Sequence, residues 1–430
     1  MMSKETVLPA KRLQGEVEVP ADKSISHRAL MISALAEGVS EITNLLKAED
    51  VLSTLHCLEQ LGVSIVLKDG KYLVSGVGKT GFKSPGYELD AGNSGTTLRI
   101  LPGILAGQGF TATLTGDASV RSRPVERVLK PLREMGAQAR STVGYAPIVI
   151  TGGNLRGIQY TTEVPSAQVK SAILLAGLLA EGKTAVSEEY KSRDHTEIML
   201  DHFGAEIEID GNTVTVSGDS NLSAREVVVP GDFSSAFYFA AGALLVPQSE
   251  VFLPSVGINP TRSGVATVLE RMGAELIDAK STRTLNGELV SDITVRSAEL
   301  KATTIERNEI PSLIDELPVI AVLATQAKGK TIVSGAEELR VKETDRISTV
   351  VSELKKMGAK IEEKPDGFVV EGPAKLKGAE VDSHGDHRLA MSLAVAALAA
   401  DGPTVINNAE AVAVSFPGFF KALNKLTSNV

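Results

Sequence analysis

One short pattern recurs along this chain and restricts its fold more than any other feature. A helical stretch ends in a hydrophobic residue followed by glycine, and a strand-like segment comes next. Successive copies are 68 to 85 residues apart, and the five copies are Leu61-Gly62, Met135-Gly136, Phe203-Gly204, Met272-Gly273 and Met357-Gly358. Repetition at a nearly fixed period indicates stacked copies of one supersecondary unit. Because the helix-like stretch 419–426 falls where a sixth copy would end, six units of about 70 residues account for the chain.

Each unit also contains an Ala- and Leu-rich helix that is apolar nearly all round, which is typical of a buried helix. The six predicted buried helices are 28–37, 96–106, 169–181, 234–246, 315–327 and 387–401. The helices before the glycines are amphipathic and are expected on the outside. Segments such as IEIDGNTVTVSG and IVLKDGKYLVSG predict hairpins, because Asp-Gly supplies a tight turn. The unit is therefore predicted to be β-α-β-α-β-β, giving an α/β fold in which mixed sheets surround buried helices.

Composition narrows the class of protein. A chain of 430 residues that is 43% hydrophobic is long enough for two domains, and a net charge of −9 argues against broad nucleic-acid or acidic-membrane binding. The longest apolar stretches, such as 172–180, have about half the length of a membrane span. The first 20 residues lack an apolar signal segment, so a cytoplasmic location is expected. A single cysteine, Cys57, excludes an intramolecular disulfide and a cysteine-based zinc cluster, and we expect a buried, inert thiol.

Polar and basic residues collect at the starts of the predicted buried helices. Free N–H groups there attract anions, and Ser, Asn and Asp also cap helices, which explains most of these residues. Capping does not explain Lys23, Arg28 and Arg388, because a cation opposes the helix dipole at an N-terminus. They either face a bound anion or are solvated surface charges. The six segments are DKSISHR at 22–28, GNSGTT at 92–97, PSAQ at 165–168, GDFS at 231–234, IPSLID at 310–315 and GDHR at 385–388.

Two further basic clusters favour an anionic ligand. One is the probable loop 121–124, and the other is 340–346, where Lys342 and Arg346 are four residues apart and are predicted to share a helix face beside Glu343. For the second cluster taken alone, an ordinary surface salt-bridge face would be the better explanation. Arg forks and Lys point charges recognise phosphate and carboxylate, so the sequence predicts small polyanionic substrates. It contains no Walker loop, no GxGxxG and no histidine pair at metal-ligand spacing, and neither a metal nor a cofactor is expected.

Six segments, in order, closely resemble the EPSP synthase (3-phosphoshikimate 1-carboxyvinyltransferase) family: DKSISHRAL, GNSGTTLR, SRPVERVL, PSAQVKSA, VKETDR and DHRLAMSLA. The resemblance covers nearly the whole chain, and PSAQ and SRDHTE are similar to a bacterial subclass. It implies a two-domain, inside-out α/β barrel of six β-α-β-α-β-β repeats, three per domain. The implied domains are residues 23–241 and a discontinuous domain of 1–22 and 242–430, with the active site in the cleft between them.

The resemblance also implies a reaction and its residues. The carboxyvinyl group of phosphoenolpyruvate would pass to the 5-hydroxyl of shikimate 3-phosphate through a tetrahedral intermediate, with release of phosphate, in chorismate and aromatic amino-acid biosynthesis. Asp315 would contact the substrate as base toward the 5-hydroxyl, Glu343 would be the acid and base at the methylene carbon, and Lys23 would share the proton traffic. The roles of Asp315 and Glu343 could exchange between steps. Phosphoenolpyruvate would be held by Lys23, Asn93, Gly95, Arg123, Gln168, Arg346 and Arg388, and shikimate 3-phosphate by Ser24, Arg28, Ser166, the Ala167 backbone, Arg193 and Lys342.

Some features depart from this assignment or leave alternatives. Val414 stands where many family members carry a lysine. Gly95 is unsubstituted, which implies room for the inhibitor glyphosate, and bound anions are expected to favour a closed state.

One alternative is the sister transferase acting on UDP-N-acetylglucosamine, which has Asn where this chain has Ser24 and usually a reactive cysteine near Arg123. Another is a non-catalytic anion-binding scaffold. The expected partners are two small-molecule substrates, with no nucleic acid and no membrane, and the chain is expected to be a monomer.

Overall fold

The computed structural model describes residues 3–276 and 281–428, and the chain forms two compact units. The terminal unit comprises Met1–Pro20, Pro230–Arg283 and Leu289–Val430, and the inserted unit comprises Ala21–Val229 and Thr284–Glu288. The boundary predicted between residues 241 and 242 falls inside a helix, Phe233–Leu245, that lies wholly in the terminal unit. Both units combine helices with sheets, as expected for the α/β class.

The helices are numbered in chain order. In the described part of the chain, no helix combines the length and the apolar character that a membrane crossing requires. Short 3-10 helices occupy Ile314–Glu316, Glu337–Val341 and Ala409–Val414. The α-helices are α1 Lys23–Leu35, α2 Glu49–Gln60, α3 Gly95–Ala106, α4 Ala118–Arg121, α5 Glu126–Glu134, α6 Ala167–Gly177, α7 His195–His202, α8 Phe233–Leu245, α9 Val265–Met272, α10 Ile310–Leu313, α11 Leu317–Gln326, α12 Arg346–Lys356, α13 His387–Leu398 and α14 Phe419–Ser428.

Three four-stranded sheets in the inserted unit share one strand order. In each, a short strand pairs in parallel with a longer one, which pairs antiparallel with a hairpin. The predicted Asp-Gly turn is present, with positive φ at both Asp69 and Gly70. A two-stranded sheet joins Leu155–Arg156 to Ala180–Glu181. The four-stranded sheets are Glu226–Val228, Glu37–Thr43, Lys71–Val77 and Ser64–Lys68; Leu89–Asp90, Thr111–Thr115, Tyr145–Thr151 and Gln138–Thr142; and Gln159–Thr161, Lys183–Ser187, Thr213–Ser217 and Ile207–Asp210.

The remaining sheets consist mainly of strands of the terminal unit. Two are four-stranded with the same order of pairing, and one is three-stranded. The strand predicted after Gly273 falls partly on residues 277–280, which lie outside the described residues. The sheets are Arg283–Leu285, Glu288–Arg296, Glu250–Gly257 and Gln14–Glu16; Thr304–Ile305, Gly329–Val333, Gly367–Gly372 and Lys360–Lys364; and Lys4–Val7, Thr404–Asn407 and Glu380–Asp382.

The apolar helices found in the sequence form the cores. Helices α1, α3 and α6 are buried in the inserted unit, and α8, α11 and α13 in the terminal unit. Burying each Leu, Ile or Phe side chain stabilises the fold by about 1.5–3 kcal/mol. Helix α1 begins at Lys23, five residues before its predicted start, because the side chain of Asp22 caps it by accepting from the Ile25 N–H at 2.8 Å. The first turns of α1 therefore contain Lys23, which was predicted to precede the helix, and Arg28, which was predicted to begin it.

The five recurring glycines follow helix ends. Helix α7 departs from the amphipathic prediction, because five of its eight residues are buried, Thr196 and Glu197 among them. The glycines follow α2, α5, α7, α9 and α12, and each has a positive backbone angle φ that L-residues rarely adopt. The φ values are +90° at Gly62, +113° at Gly136, +91° at Gly204, +89° at Gly273 and +88° at Gly358. Glycine is the usual residue just past a helix end because it adopts left-handed backbone angles without steric cost. The repeated sequence pattern thus marks repeated helix ends.

Candidate functional site

Ten of the predicted site residues lie in the inserted unit, near the starts of its buried helices. We call them the helix-start cluster: Lys23, Ser24, Arg28, Asn93, Gly95, Arg123, Ser166, Ala167, Gln168 and Arg193. Helix α3 packs against both α1 and α6. Each start is capped by a side-chain oxygen that accepts a backbone N–H three residues on, at 2.8 Å for Asp22, 3.0 Å for Ser94 and 3.5 Å for Ser166. These caps leave the first N–H groups of the helices available to an anion.

Lys23, the first residue of α1, is held by a buried carboxylate. Its Nζ lies 2.9 Å from Asp50 Oδ2, and the other oxygen of Asp50 lies 3.1 Å from His27 Nε2. Burial alone would raise the pKa of Asp50, but Lys23 and then His27 outweigh it and hold that pKa well below its usual range. Burial lowers the pKa of His27, whose Nδ1 hydrogen-bonds to Thr54 Oγ1 at 2.7 Å. Asp50 is thus an anion that fixes the direction of the Lys23 ammonium.

Arg28 is buried, and its hydrogen bonds go to neutral oxygens. Nε donates to Thr196 Oγ1 at 2.6 Å and NH2 to Ser171 Oγ at 2.7 Å, while NH1 donates to the carbonyl of Ser24 at 3.0 Å. Burial, together with smaller effects that include the charge of Arg193, lowers the pKa of Arg28 to about 10. The group remains charged at neutral pH. The structure therefore places two predicted anion ligands, Arg28 and Arg193, within electrostatic range of each other.

Gly95 and Arg123 are neighbours. A β-carbon at Gly95 would lie 2.6 Å from Arg123 NH1, so the absence of a side chain leaves space for that guanidinium. Asn93, two residues earlier, donates from Nδ2 to Glu49 Oε2 at 3.4 Å. The start of α3 and the loop after α4 thus bring together three residues that the sequence assigned to the same ligand.

Arg99 links the parts of this cluster, and sequence reasoning did not select it. Its NH1 donates to Gln168 Oε1 at 3.0 Å, and its NH2 donates to the carbonyl of Pro124 at 3.3 Å. Gln168 also donates to Thr96 Oγ1 at 3.3 Å. A signal was present, because Arg99 lies one turn after Gly95 in an otherwise apolar helix. Arg99 therefore orients the Gln168 amide and the loop that carries Arg123.

The other five predicted residues lie in the terminal unit, and we call them the Asp315 cluster: Asp315, Lys342, Glu343, Arg346 and Arg388. Asp315 lies in the 3-10 helix between α10 and α11 rather than at the start of α11 as predicted. The reason is Pro318, at the first turn of α11, which has no N–H to extend the α-helical ladder backwards. Asp315 therefore precedes a buried helix and keeps some exposure, 12% of its side chain.

Three arginines surround the carboxylate of Asp315. Arg346 NH1 lies 3.2 Å from Oδ1, Arg388 NH2 lies 3.4 Å from Oδ2, and Arg262 NH1 lies 3.8 Å from Oδ2. Opposite charges at such distances favour the ionised carboxylate. Burial alone would lower the pKa of Arg388, but Asp315 foremost outweighs it and holds that pKa above its usual value. The partly exposed Asp315 carboxylate can therefore accept a hydrogen bond from a substrate hydroxyl.

Arg346 joins the two candidate acid–base residues. Its NH2 lies 2.5 Å from Glu343 Oε2, its NH1 contacts Asp315, and its Nε donates to Asp386 Oδ2 at 2.7 Å. Burial alone would lower the pKa of Arg346, but Asp386 and then Glu343 outweigh it and raise that pKa above its usual value. One guanidinium therefore positions Asp315 and Glu343 together, although 28 residues of sequence separate them.

Lys342 differs from its prediction. Helix α12 begins only at Arg346, because the side chain of Asp345 caps it and accepts the Ser348 N–H at 3.1 Å. Lys342 has extended backbone at the end of the preceding 3-10 helix and is half-buried. Lys342 and Arg346 therefore do not share a helix face, and the predicted i,i+4 pair is wrong.

Arg262 distinguishes Asp315 from its neighbour Glu316. Arg262 NH1 lies 3.2 Å from Glu316 Oε1, and Arg262 NH2 donates to Ser234 Oγ at 2.5 Å. Ser234 also hydrogen-bonds to Glu316. The Glu316 side chain is only 1% exposed, so it is occupied by internal partners. Sequence reasoning missed Arg262, which lies outside every motif that it used. Asp315 is the member of this pair that can meet a substrate.

Among residues 3–276 and 281–428, no group of three or more His, Cys, Asp or Glu side chains is arranged to hold a metal ion. Cys57 is buried, which confirms the burial predicted from the sequence, and burial raises its pKa to about 12.

Comparisons with known proteins agree on one family. A model of the family described as EPSP synthase (3-phosphoshikimate 1-carboxyvinyltransferase) matches residues 7–423. The 3-phosphoshikimate 1-carboxyvinyltransferase of Carboxydothermus hydrogenoformans is 52% identical over 99% of this chain and 99% of its own length. A solved EPSP synthase from Acinetobacter baumannii is 44% identical, with a TM-score of 0.88, and covers 99% of this chain and 98% of its own. The enolpyruvyl transferase NikO from Streptomyces tendae shares the fold. It is 18% identical, with a TM-score of 0.79, and the match covers 98% of this chain and 96% of that protein's chain.

Proposed function

Because the chain belongs to the EPSP synthase family, we propose that residues of the helix-start cluster and of the Asp315 cluster bind the substrates and carry out the chemistry of its reaction. That reaction transfers the carboxyvinyl group of phosphoenolpyruvate to the 5-hydroxyl of shikimate 3-phosphate and releases phosphate, a step of aromatic amino-acid biosynthesis through chorismate. The substrates are small molecules, and both are polyanions. Holding two polyanions together requires several cations in a site with little water.

Binding is assigned mainly to the helix-start cluster. Arg28 and Arg193, with Ser24, Ser166 and the Ala167 backbone, would hold shikimate 3-phosphate, and Lys342 would add a cation from the terminal unit. The support is that Arg28 donates to neutral oxygens and keeps its charge. Phosphoenolpyruvate would be held by Lys23, Asn93, Gly95, Arg123, Gln168, Arg346 and Arg388; in support, Gly95 leaves space for the Arg123 guanidinium, and Arg346 and Arg388 both contact Asp315.

Proton transfer is assigned to the Asp315 cluster. Asp315 would take the proton of the 5-hydroxyl while the oxygen bonds to the substituted carbon of phosphoenolpyruvate and Glu343 protonates its methylene carbon. In the second step, the carboxylate of Glu343 would remove a proton from the same methyl carbon as the C–O bond to phosphate breaks. Lys23, held by Asp50, would share the proton traffic. The observation that carries this assignment is Arg346, which contacts both Asp315 and Glu343.

The strand pairing and the buried helices also support a repeated architecture. Five sheets share one order of strand pairing, and six buried helices accompany the sheets. We infer six copies of a β-α-β-α-β-β unit, three in each compact unit, arranged as an inside-out α/β barrel. We also propose that the protein acts as a monomer, since the described residues of each compact unit bury a hydrophobic core of their own, and that it acts in the cytoplasm, the location expected from the sequence.

The test is phosphate release from phosphoenolpyruvate, with shikimate 3-phosphate and UDP-N-acetylglucosamine as acceptors in parallel. We expect release only with shikimate 3-phosphate. Release only with UDP-N-acetylglucosamine would transfer the assignment to the sister reaction. Binding of shikimate 3-phosphate without release in either reaction would support an anion-binding scaffold instead.

A further inference from the structure

The inserted unit buries a cluster of three ionisable side chains that the proposed reaction does not use. Lys170 Nζ, in the first turns of α6, lies 2.8 Å from Glu188 Oε2 and 2.7 Å from Glu197 Oε1, and none of the three side chains is more than 2% exposed. Burial alone would lower the pKa of Lys170, but Glu197 and then Glu188 outweigh it and raise that pKa above its usual value. Buried charges are costly unless they are paired and hydrogen-bonded, so this cluster needs an explanation beyond core packing.

Glu188 connects two segments that carry proposed substrate ligands. Its Oε1 accepts the backbone N–H of Ser166 at 3.2 Å, at the start of α6. Its Oε2 accepts the backbone N–H of Ser192 at 3.1 Å and the Ser192 hydroxyl at 2.9 Å, immediately before Arg193. An ionised carboxylate offers about four acceptor positions and no donor. Together with the Lys170 ammonium, four donor groups therefore contact the Glu188 carboxylate. Only an ionised carboxylate can accept from all four of them.

The Lys170–Glu197 pair joins α6 and α7 at the point where both helices bind Arg28. Ser171, next to Lys170, accepts from Arg28 NH2, and Thr196, next to Glu197, accepts from Arg28 Nε. The two hydroxyls also hydrogen-bond to each other at 2.6 Å. Lys170 further donates to the carbonyl of Ser192 at 3.3 Å. A shift of either helix would therefore move the guanidinium of Arg28.

We propose that Glu188, neutralised by Lys170, is a positioning residue for shikimate 3-phosphate. It holds Ser166 and the segment before Arg193 in register, while the Lys170–Glu197 pair fixes the helices that orient Arg28. The proposal rests on the proposed function, since it takes these groups as the ligands of that substrate. It predicts a defect confined to one substrate, because phosphoenolpyruvate is assigned to other side chains. A loss of equal ground-state and transition-state binding raises KM and leaves kcat unchanged.

The decisive variant is Glu188→Gln, which keeps the shape of the side chain but replaces one acceptor oxygen with a donor NH2. That NH2 cannot accept the Ser166 or Ser192 N–H. We expect the calorimetric Kd and the KM for shikimate 3-phosphate each to rise about tenfold, the effect of losing one charge-assisted hydrogen bond. The kcat and the KM for phosphoenolpyruvate should change by less than about threefold. The matched control is Glu208→Gln, an exposed glutamate of the same unit that lies 3.8 Å from Lys183; it should change nothing.

Two results would overturn the proposal. One is an unchanged Kd for shikimate 3-phosphate in a folded Glu188→Gln protein. The other is a general defect, in which both KM values rise equally, kcat falls and Tm is lower. If Glu188→Gln does not fold, Ser192→Ala decides, because it removes only one hydroxyl donor to Glu188; an unchanged KM for shikimate 3-phosphate would then refute the proposal. Failure of the proposed function is distinguishable, because the unsubstituted protein would then release no phosphate with shikimate 3-phosphate.

Discussion

The helix-start cluster and the Asp315 cluster both contain buried arginines, but their charges are compensated differently. Arg28 in the first cluster donates to two hydroxyls and a carbonyl. Arg346 in the second forms ion pairs with Asp315, Glu343 and Asp386. A guanidinium bonded to neutral oxygens keeps its attraction for an added phosphate, whereas one shared among carboxylates holds those carboxylates in place. We infer that the first cluster mainly binds substrate and the second mainly moves protons.

The largest expected effect concerns Asp315. Replacing it by Asn keeps the shape but removes the proton acceptor, so kcat should fall at least about 100-fold, the usual contribution of a positioned base. The matched variant is Glu316→Gln, whose carboxylate meets Arg262 and Ser234 inside the core. It should lower Tm, measured by calorimetry, and reduce kcat much less. Equal losses of kcat in both variants would remove the distinction between the two residues.

Substitution of Arg28 tests whether the helix-start cluster binds shikimate 3-phosphate. Substitution by Met removes charge-assisted hydrogen bonds worth about 1.5–3 kcal/mol each, so the Kd for shikimate 3-phosphate should rise roughly tenfold to 100-fold. Lys should restore little, because it cannot reproduce the forked contacts to Thr196 and Ser171. Calorimetry measures the affinity, and steady-state kinetics measures kcat. A variant that loses kcat but keeps its affinity would reverse the division of roles.

Gly95 gives a smaller effect within the same cluster. An alanine β-carbon there would lie 2.6 Å from Arg123 NH1, and the flexible guanidinium must move. We expect the KM for phosphoenolpyruvate to rise about tenfold, with weaker inhibition by glyphosate and an unchanged Kd for shikimate 3-phosphate. Gly86→Ala is the control, since a β-carbon there meets nothing within 4 Å. An unaltered KM in Gly95→Ala would show that Arg123 does not hold this substrate.

The smallest effect is a pH dependence of stability at His27. Burial lowers its pKa in the folded state, whereas the unfolded chain takes up the proton near the usual value of 6.5. The stability that His27 contributes is therefore present above pH 6.5 and is lost as the pH falls through the folded pKa. Between pH 7.5 and 5.5, the Tm of the unsubstituted protein should fall more steeply than that of His27→Asn. Parallel slopes would mean that His27 does not titrate in this way.

The sequence predicts what is local in this structure. The five glycines that end helices and the six apolar helices follow from spacing and composition, and the structure contains them. The predicted helix starts were less accurate than the predicted helix ends, because a single capping side chain, such as Asp22 or Asp345, decides where a helix begins. Motif resemblance supplied the site residues, and the structure groups them as two clusters.

The missing parts of the site are long-range partners. Arg346 meets Asp386 across 40 residues, and Arg262 meets Glu316 across 54. Glu188 reaches Ser166 across 22 residues. A single sequence contains no signal for such pairs, since a buried charge is recognised by its surroundings in three dimensions. The sequence therefore named ligands for substrates but not the residues that hold those ligands.

The most direct test of the division between binding and proton transfer is Glu343→Gln, examined for shikimate 3-phosphate affinity and turnover in the same preparation. Glu343 contacts Arg346 and is assigned no contact with that substrate. The account predicts an affinity close to that of the unsubstituted protein and a kcat at least about 100-fold lower. Near-normal kcat, or a loss of affinity as large as that of Arg28→Met, would contradict it.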